Sequence, residues 1–171
     1  MIGLYDNFPE NIHRIANFTS SVSAKKLQEN LVHVLHEMNC RAFSFDDFGH
    51  QALRECTINF EAGIAESKSF SYIDEEEKKK LQEALKKKPF RIMDFFFAVR
   101  YYKIRAGKKT PLKFDYYLLR CAFGENSLEL RVFHERGPRY TSPEDIVSFI
   151  VNRINEASTR RILKEASPAI S

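Results

Sequence analysis

The strongest constraint on this chain lies between residues 90 and 120, which read FRIMDFFFAVRYYKIRAGKKTPLKFDYYLLR. Two β-type runs, 93–105 and 112–123, flank a break at Gly107-Lys108-Lys109-Thr110-Pro111. Both runs carry apolar residues on both pleat faces. A strand of that kind belongs in the interior of a sheet, so other segments must supply its neighbours. The same region concentrates charge. Between Lys86 and Arg120 stand eleven Lys/Arg and two acids, Asp94 and Asp115, a local +9 in a chain of net +4.

The flanking strands are legible from alternation. Residues 56–65 place Cys56, Ile58, Phe60, Ala62 and Ile64 on one side and Thr57, Asn59 and Glu61 on the other, the pattern of a half-buried strand. Residues 68–73 are positioned to pair with it as a hairpin. Residues 127–136 alternate likewise, after a tight turn at Gly124-Glu125-Asn126. Weaker strand signals occur at 12–19 and 41–46, and 47–55 reads as a loop.

Three helices are expected. Over 23–39 an apolar stripe of Leu27, Leu31, Val34, Leu35 and Met38 recurs at helical spacing, leaving Gln28 among the residues on the wet side. Asp74 opens a second helix, with Glu75, Glu76 and Glu77 in its first turn and Lys86, Lys87 and Lys88 in its last, which suits the helix dipole. Its thin apolar side, Leu81, Ala84 and Leu85, predicts a surface helix that Pro89 ends. Ser142, Pro143 and Asp145 form a capping signature for the third. Its stripe is Ile146, Phe149, Ile150 and Ile154, and it continues or restarts through 159–166. The fold class that follows is α+β: an antiparallel sheet with helices packed mainly on one face, a two-layer sandwich. The chain reads as a single domain over 1–171, with 1–11 and 167–171 as irregular tails.

With 43% apolar and 29% charged residues the composition is that of an ordinary globular protein. Three cysteines, Cys40, Cys56 and Cys121, are odd in number, widely spaced and set among apolar neighbours. They read as buried structural thiols in a reducing, intracellular setting, cytoplasmic or nuclear. No signal peptide and no transmembrane segment is expected.

Two segments resemble the kinase-associated domain, a C-terminal regulatory module of some protein kinases. Residues 18–40, FTSSVSAKKLQENLVHVLHEMNC, are similar to its opening strand end and amphipathic helix. Residues 112–154 are similar to its closing pair of strands and helix. The helix from Asp74 and the strand at 93–105 would be insertions. The resemblance implies an interaction module that binds anionic phospholipid head groups or a partner protein, and it carries over no individual residue.

The residues themselves point to polyanion binding. Lys and Arg neutralise phosphates, and rings beside them stack on bases. Alternation puts Phe96, Arg100 and Tyr102 on one face, and Phe95, Phe97, Tyr101, Lys103 and Arg105 on the other. The competing explanation is that these rings are core. The expected anion-binding set is Arg100, Lys103, Arg105, Lys108, Lys109 and Lys113, with Tyr101 or Tyr102 stacking and Arg136 and Arg139 as further contacts. The partner expected first is single-stranded or structured nucleic acid, and the alternative is a protein or an anionic phospholipid surface. The loop 105–110 lacks the spacing of a Walker motif. An enzyme centred on His134, Glu135 and Arg136 ranks last, and alternation places His134 with Arg136, away from Glu135. His33, His36 and Glu37 have the wrong spacing for a zincin site. No metal, no cofactor and no catalytic residue is called for.

Overall fold

The computed structural model describes residues 1–44 and 56–166. Among them nine strands form one antiparallel sheet, and three helices lie on one of its faces. The strands are β1 (Arg14–Ser20), β2 (Ala42–Ser44), β3 (Cys56–Glu66), β4 (Ser69–Tyr72), β5 (Ile92–Arg105), β6 (Lys108–Pro111), β7 (Asp115–Gly124), β8 (Ser127–Arg136) and β9 (Leu163–Glu165). The helices are α1 (Ala24–Cys40), α2 (Glu75–Lys87) and α3 (Pro143–Glu156). The sheet order is β2-β3-β5-β7-β8-β1-β9, with β4 extending β3 and β6 extending β5.

Strand β5 is interior, paired with β3 on one edge and with β7 and β6 on the other. One face carries Phe95, Phe97, Val99 and Tyr101, all fully buried against the helical layer. The opposite face carries Phe96, Ala98, Arg100 and Tyr102. Phe96 is sandwiched between Phe70 of β4 and Tyr116 of β7, at ring separations of 5.5 and 5.7 Å. Cross-strand ring packing of this kind explains how a strand can be apolar on both sides without a second helical layer.

Helix α1 starts where Ser23 accepts the Lys26 N–H, and it buries Leu27, Leu31, Val34, Leu35 and Met38 as its spacing predicts. Gln28 departs from that expectation and is fully buried. Its amide satisfies both backbone groups of Phe90, accepting at 2.8 Å and donating at 2.7 Å. The connector after α2 therefore crosses over α1 at this point. Helix α2 is capped by Asp74, whose carboxylate accepts the Glu77 N–H at 2.8 Å, and it packs on α1 through Leu81 and Leu85. In α3 both arms of the Ser142/Asp145 capping box are made. Phe149 of α3 meets Phe43 and Phe60 at ring separations of 5.1 and 5.3 Å, tying the helix to the β2–β3 side of the sheet.

The chain does not continue as helix after α3. The Asn155 carboxamide accepts from the Ile162 and Leu163 N–H groups and donates to the Leu163 carbonyl, turning the chain back. Strand β9 then pairs with the open edge of β1. The expected loop at 47–55, the end of the strand expected at 41–46, and the tail at 167–171 lie outside the described residues. Residues 1–8 are irregular, as expected, and are hydrogen-bonded to the sheet. Gly3 donates to Ala65 O at 2.7 Å and accepts from Asp94 N at 2.6 Å, and so fills the gap between β3 and the start of β5. Cys56 and Cys121 are buried, whereas Cys40 at the end of α1 is exposed, contrary to expectation. No helix among the described residues is long and apolar enough to cross a membrane.

Candidate nucleic-acid interface

The sheet face turned away from the helices carries a row of rings. Tyr5 meets Phe70 at 4.8 Å, Phe70 meets Phe96 at 5.5 Å, and Phe96 meets Tyr116 at 5.7 Å. The Arg136 guanidinium lies 4.5 Å above the Tyr116 ring, and that of Arg100 lies 5.2 Å from the Phe114 ring. Lys109 Nζ sits 4.6 Å above Tyr102. Each contact is within the range of a cation–π interaction. Arg100 also pairs with Glu61 of β3 at 2.5 Å. Among the described residues, Lys103, Arg105, Lys108, Lys109, Lys113, Arg136 and Arg139 form no ion pair with a carboxylate.

The other end of this face is closed. Asp94 is fully buried and holds Arg120 through two hydrogen bonds of 2.8 and 2.9 Å, with the Tyr5 N–H adding a third at 2.8 Å. Phe8 covers the Arg120 guanidinium at 4.3 Å. Arg120 thus serves the N-terminal segment's attachment rather than an open surface.

Geometry divides the expected residues. The β5–β6 hairpin turns at Ala106 and Gly107, both with positive φ, 50° and 75°, the requirement of a two-residue I′ turn. Register pairs Tyr102 with Pro111 and Ile104 with Lys109, so these share the outer face with Arg100. Lys103 and Arg105 pair with Thr110 and Lys108 and occupy the opposite pleat. The cations of the hairpin therefore do not lie on one surface. Tyr101 is a correction of another kind. It is fully buried and its hydroxyl bonds the Asp115 carboxylate at 2.6 Å and Thr141 Oγ1 at 2.9 Å, so it cannot stack on a ligand. Tyr102 is half-buried on the outer face.

Strands β6 and β7 pair with the same edge of β5, β6 along its end and β7 along its first half. Residues 112–114 bridge the interval, anchored by Leu112 N on Tyr101 O at 2.9 Å. That interruption opens a groove of about 700 Å³ lined by Leu112, Lys113, Phe114, Tyr116, Arg136, Gly137 and Pro138. Lys113 and Arg136 are exposed along it. Phe114 and Tyr116 were not expected here. Their i, i+2 spacing is the available signal, but a run apolar on both faces does not reveal which side is open.

Beneath the groove sits a polar knot. Asp115 is fully buried and its carboxylate accepts four hydrogen bonds: Tyr101 Oη, His134 Nε2 at 2.8 Å, and the Arg139 and Tyr140 N–H groups at 2.6 and 2.9 Å. Tyr117 donates to the Thr141 carbonyl. Burial raises the pKa of both tyrosine hydroxyls well above the ordinary value of 10.0, so both stay protonated as donors. Arg139 is exposed, does not line the groove, and lies near enough to His13 for its charge to act on that ring. A β-bulge between Tyr116 and Tyr117 sets His134 opposite Tyr117 and Arg136 opposite Tyr116. His134 stays inward, in phase with Leu130 and Val132, while the extra residue, Glu135, turns Arg136 outward beside Tyr116. His134, Glu135 and Arg136 are thus separated rather than gathered. Gly137 adopts φ +118° against Phe114 O and Asp115, where no Cβ fits.

Comparisons with protein-family models, curated proteins and solved structures return no match for this chain.

Proposed function

We propose that the outer face of the sheet binds single-stranded nucleic acid, without catalysis. The observation that carries this reading is the contiguous ring row from Tyr5 to Tyr116, with the Arg136 guanidinium over Tyr116 and that of Arg100 near Phe114. Bases stack on aromatic rings and on arginine planes, and cations beside them neutralise the backbone. Lys109, Lys113 and Arg136 supply charge on this face, Arg100 being paired with Glu61, and Tyr102, Phe114 and Tyr116 are the stacking surfaces. A flat, open sheet suits an unpaired strand better than a duplex, whose bases are already stacked.

The test is fluorescence anisotropy with a labelled single-stranded oligonucleotide across a salt series. Three neutralised phosphates give a slope of about −2 in log K against log salt, or roughly 20-fold weaker binding at 200 mM than at 50 mM. Absence of binding at the lower salt ends the reading. A second reading, an interaction module of the kinase-associated type that docks on anionic phospholipid, is favoured by one feature. Arg105 and Lys108 project at the tip of the β5–β6 hairpin on the pleat opposite the ring row. It predicts cosedimentation with vesicles containing phosphatidylserine but not with neutral ones.

A further inference from the structure

The groove where β6 gives way to β7 has a chemistry more specific than the face around it. We infer that it is an anchoring subsite for one nucleotide, holding a flat base and its phosphate, and that it accepts a free 5′-mononucleotide. This rests on the reading of the outer face given above. The floor is aromatic, from Phe114 and Tyr116. Lys113 and Arg136 line it beside these rings, and among the described residues no carboxylate does. The ligand complementary to such a site combines a planar apolar body with negative charge at its rim. Its volume of about 700 Å³ falls in the range of small-molecule sites.

The walls are also fixed, which a specific subsite needs. The Arg136 guanidinium rests over the Tyr116 ring, 4.5 Å from its centre. The Gly137–Pro138 turn is pinned from beneath, because the Arg139 and Tyr140 N–H groups bond the buried Asp115 carboxylate. Leu112 N on Tyr101 O fixes the Lys113 side. A base stacks on the Arg136 plane or the Phe114 ring, and Lys113 meets the phosphate as a point charge. Nothing in the groove distinguishes one base from another, so selectivity is for the nucleotide and not for its sequence.

The experiment is an NMR titration of the full chain with AMP, adenosine and inorganic phosphate, repeated on Arg136→Ala and Lys113→Ala, with oligonucleotide anisotropy run in parallel. Both substituted side chains are exposed, so folded variants are expected and their spectra verify it. The inference predicts saturable AMP shifts at 112–116 and 136–138, with adenosine and phosphate each at least tenfold weaker. Each variant loses about tenfold in AMP affinity. If the oligonucleotide binds but AMP leaves the groove unperturbed, or the variants bind AMP like the parent, the subsite is refuted and the face reading stands. If phosphate alone matches AMP, the groove is an anion site and the nucleotide assignment is overturned. If neither AMP nor oligonucleotide binds, both readings fall.

Discussion

Asp115 anchors the end of the sheet that faces the groove, and its loss is the severest single change the structure predicts. Asp115→Ala strands the Tyr101 hydroxyl, the His134 ring N–H and two backbone N–H groups in a buried setting. The cost is about 3 kcal/mol or more, read as a lowered urea midpoint. His13 behaves differently. Its Nδ1 accepts the His134 N–H at 2.9 Å and its ring stacks on Phe133 at 4.7 Å. Burial first, then the positive charge of Arg139 and of His134, lowers its pKa below the ordinary 6.5. The folded state therefore prefers the neutral ring. That contribution is complete above pH 6.5 and is lost as pH falls through the lower folded value. A His13→Gln chain keeps an acceptor without titrating. Its urea midpoint is predicted to drop less than the parent's between pH 7.5 and pH 5, and equal drops would contradict the assignment. Among individual residues, the core stripe of α1 was legible from its period. The fates of Tyr101 and Gln28 were not, because each depends on a partner distant in sequence: Asp115 and Thr141 for one, the Phe90 backbone for the other.

Elements with strong local signals formed where expected. The Ser142 capping box is complete, and Ser142→Ala is predicted to cost about 1 kcal/mol in chemical denaturation. Strand β3 buries the alternating set its sequence displays, and the β7–β8 turn falls at Glu125-Asn126, with Asn126 at φ +55°. Two elements ran against expectation. Residues 163–165 form an edge strand because Asn155 reverses the chain and β1 offers an unpaired edge, and neither cause is visible in a local window. The bulge at Glu135 in β8 turns Arg136 outward, away from the side of His134, and no Gly or Pro marks it. Gly137 guards the same corner. Gly137→Ala meets both a left-handed φ of +118° and the Phe114 carbonyl. It is predicted to lower the thermal midpoint and to weaken oligonucleotide binding together.

At the scale of the molecule, an antiparallel sheet of nine strands among the described residues gives one face to three helices and leaves the other for rings and cations. The fold class was legible because long runs, turn signals and caps agree with one another. The interface was legible only in part. Charge concentration pointed to the stretch that carries the proposed site, but the pleat sends Lys103, Arg105 and Lys108 to one side and Arg100, Tyr102 and Lys109 to the other. The most direct test maps the ligand face by NMR, adding a short single-stranded oligonucleotide to labelled protein at low salt. The account predicts perturbations at outward positions of β5, β7 and β8, among them Phe96, Arg100, Tyr102, Tyr116 and Arg136, with α1 and α3 unmoved. Perturbations confined to the helical face, or none at all, would contradict it.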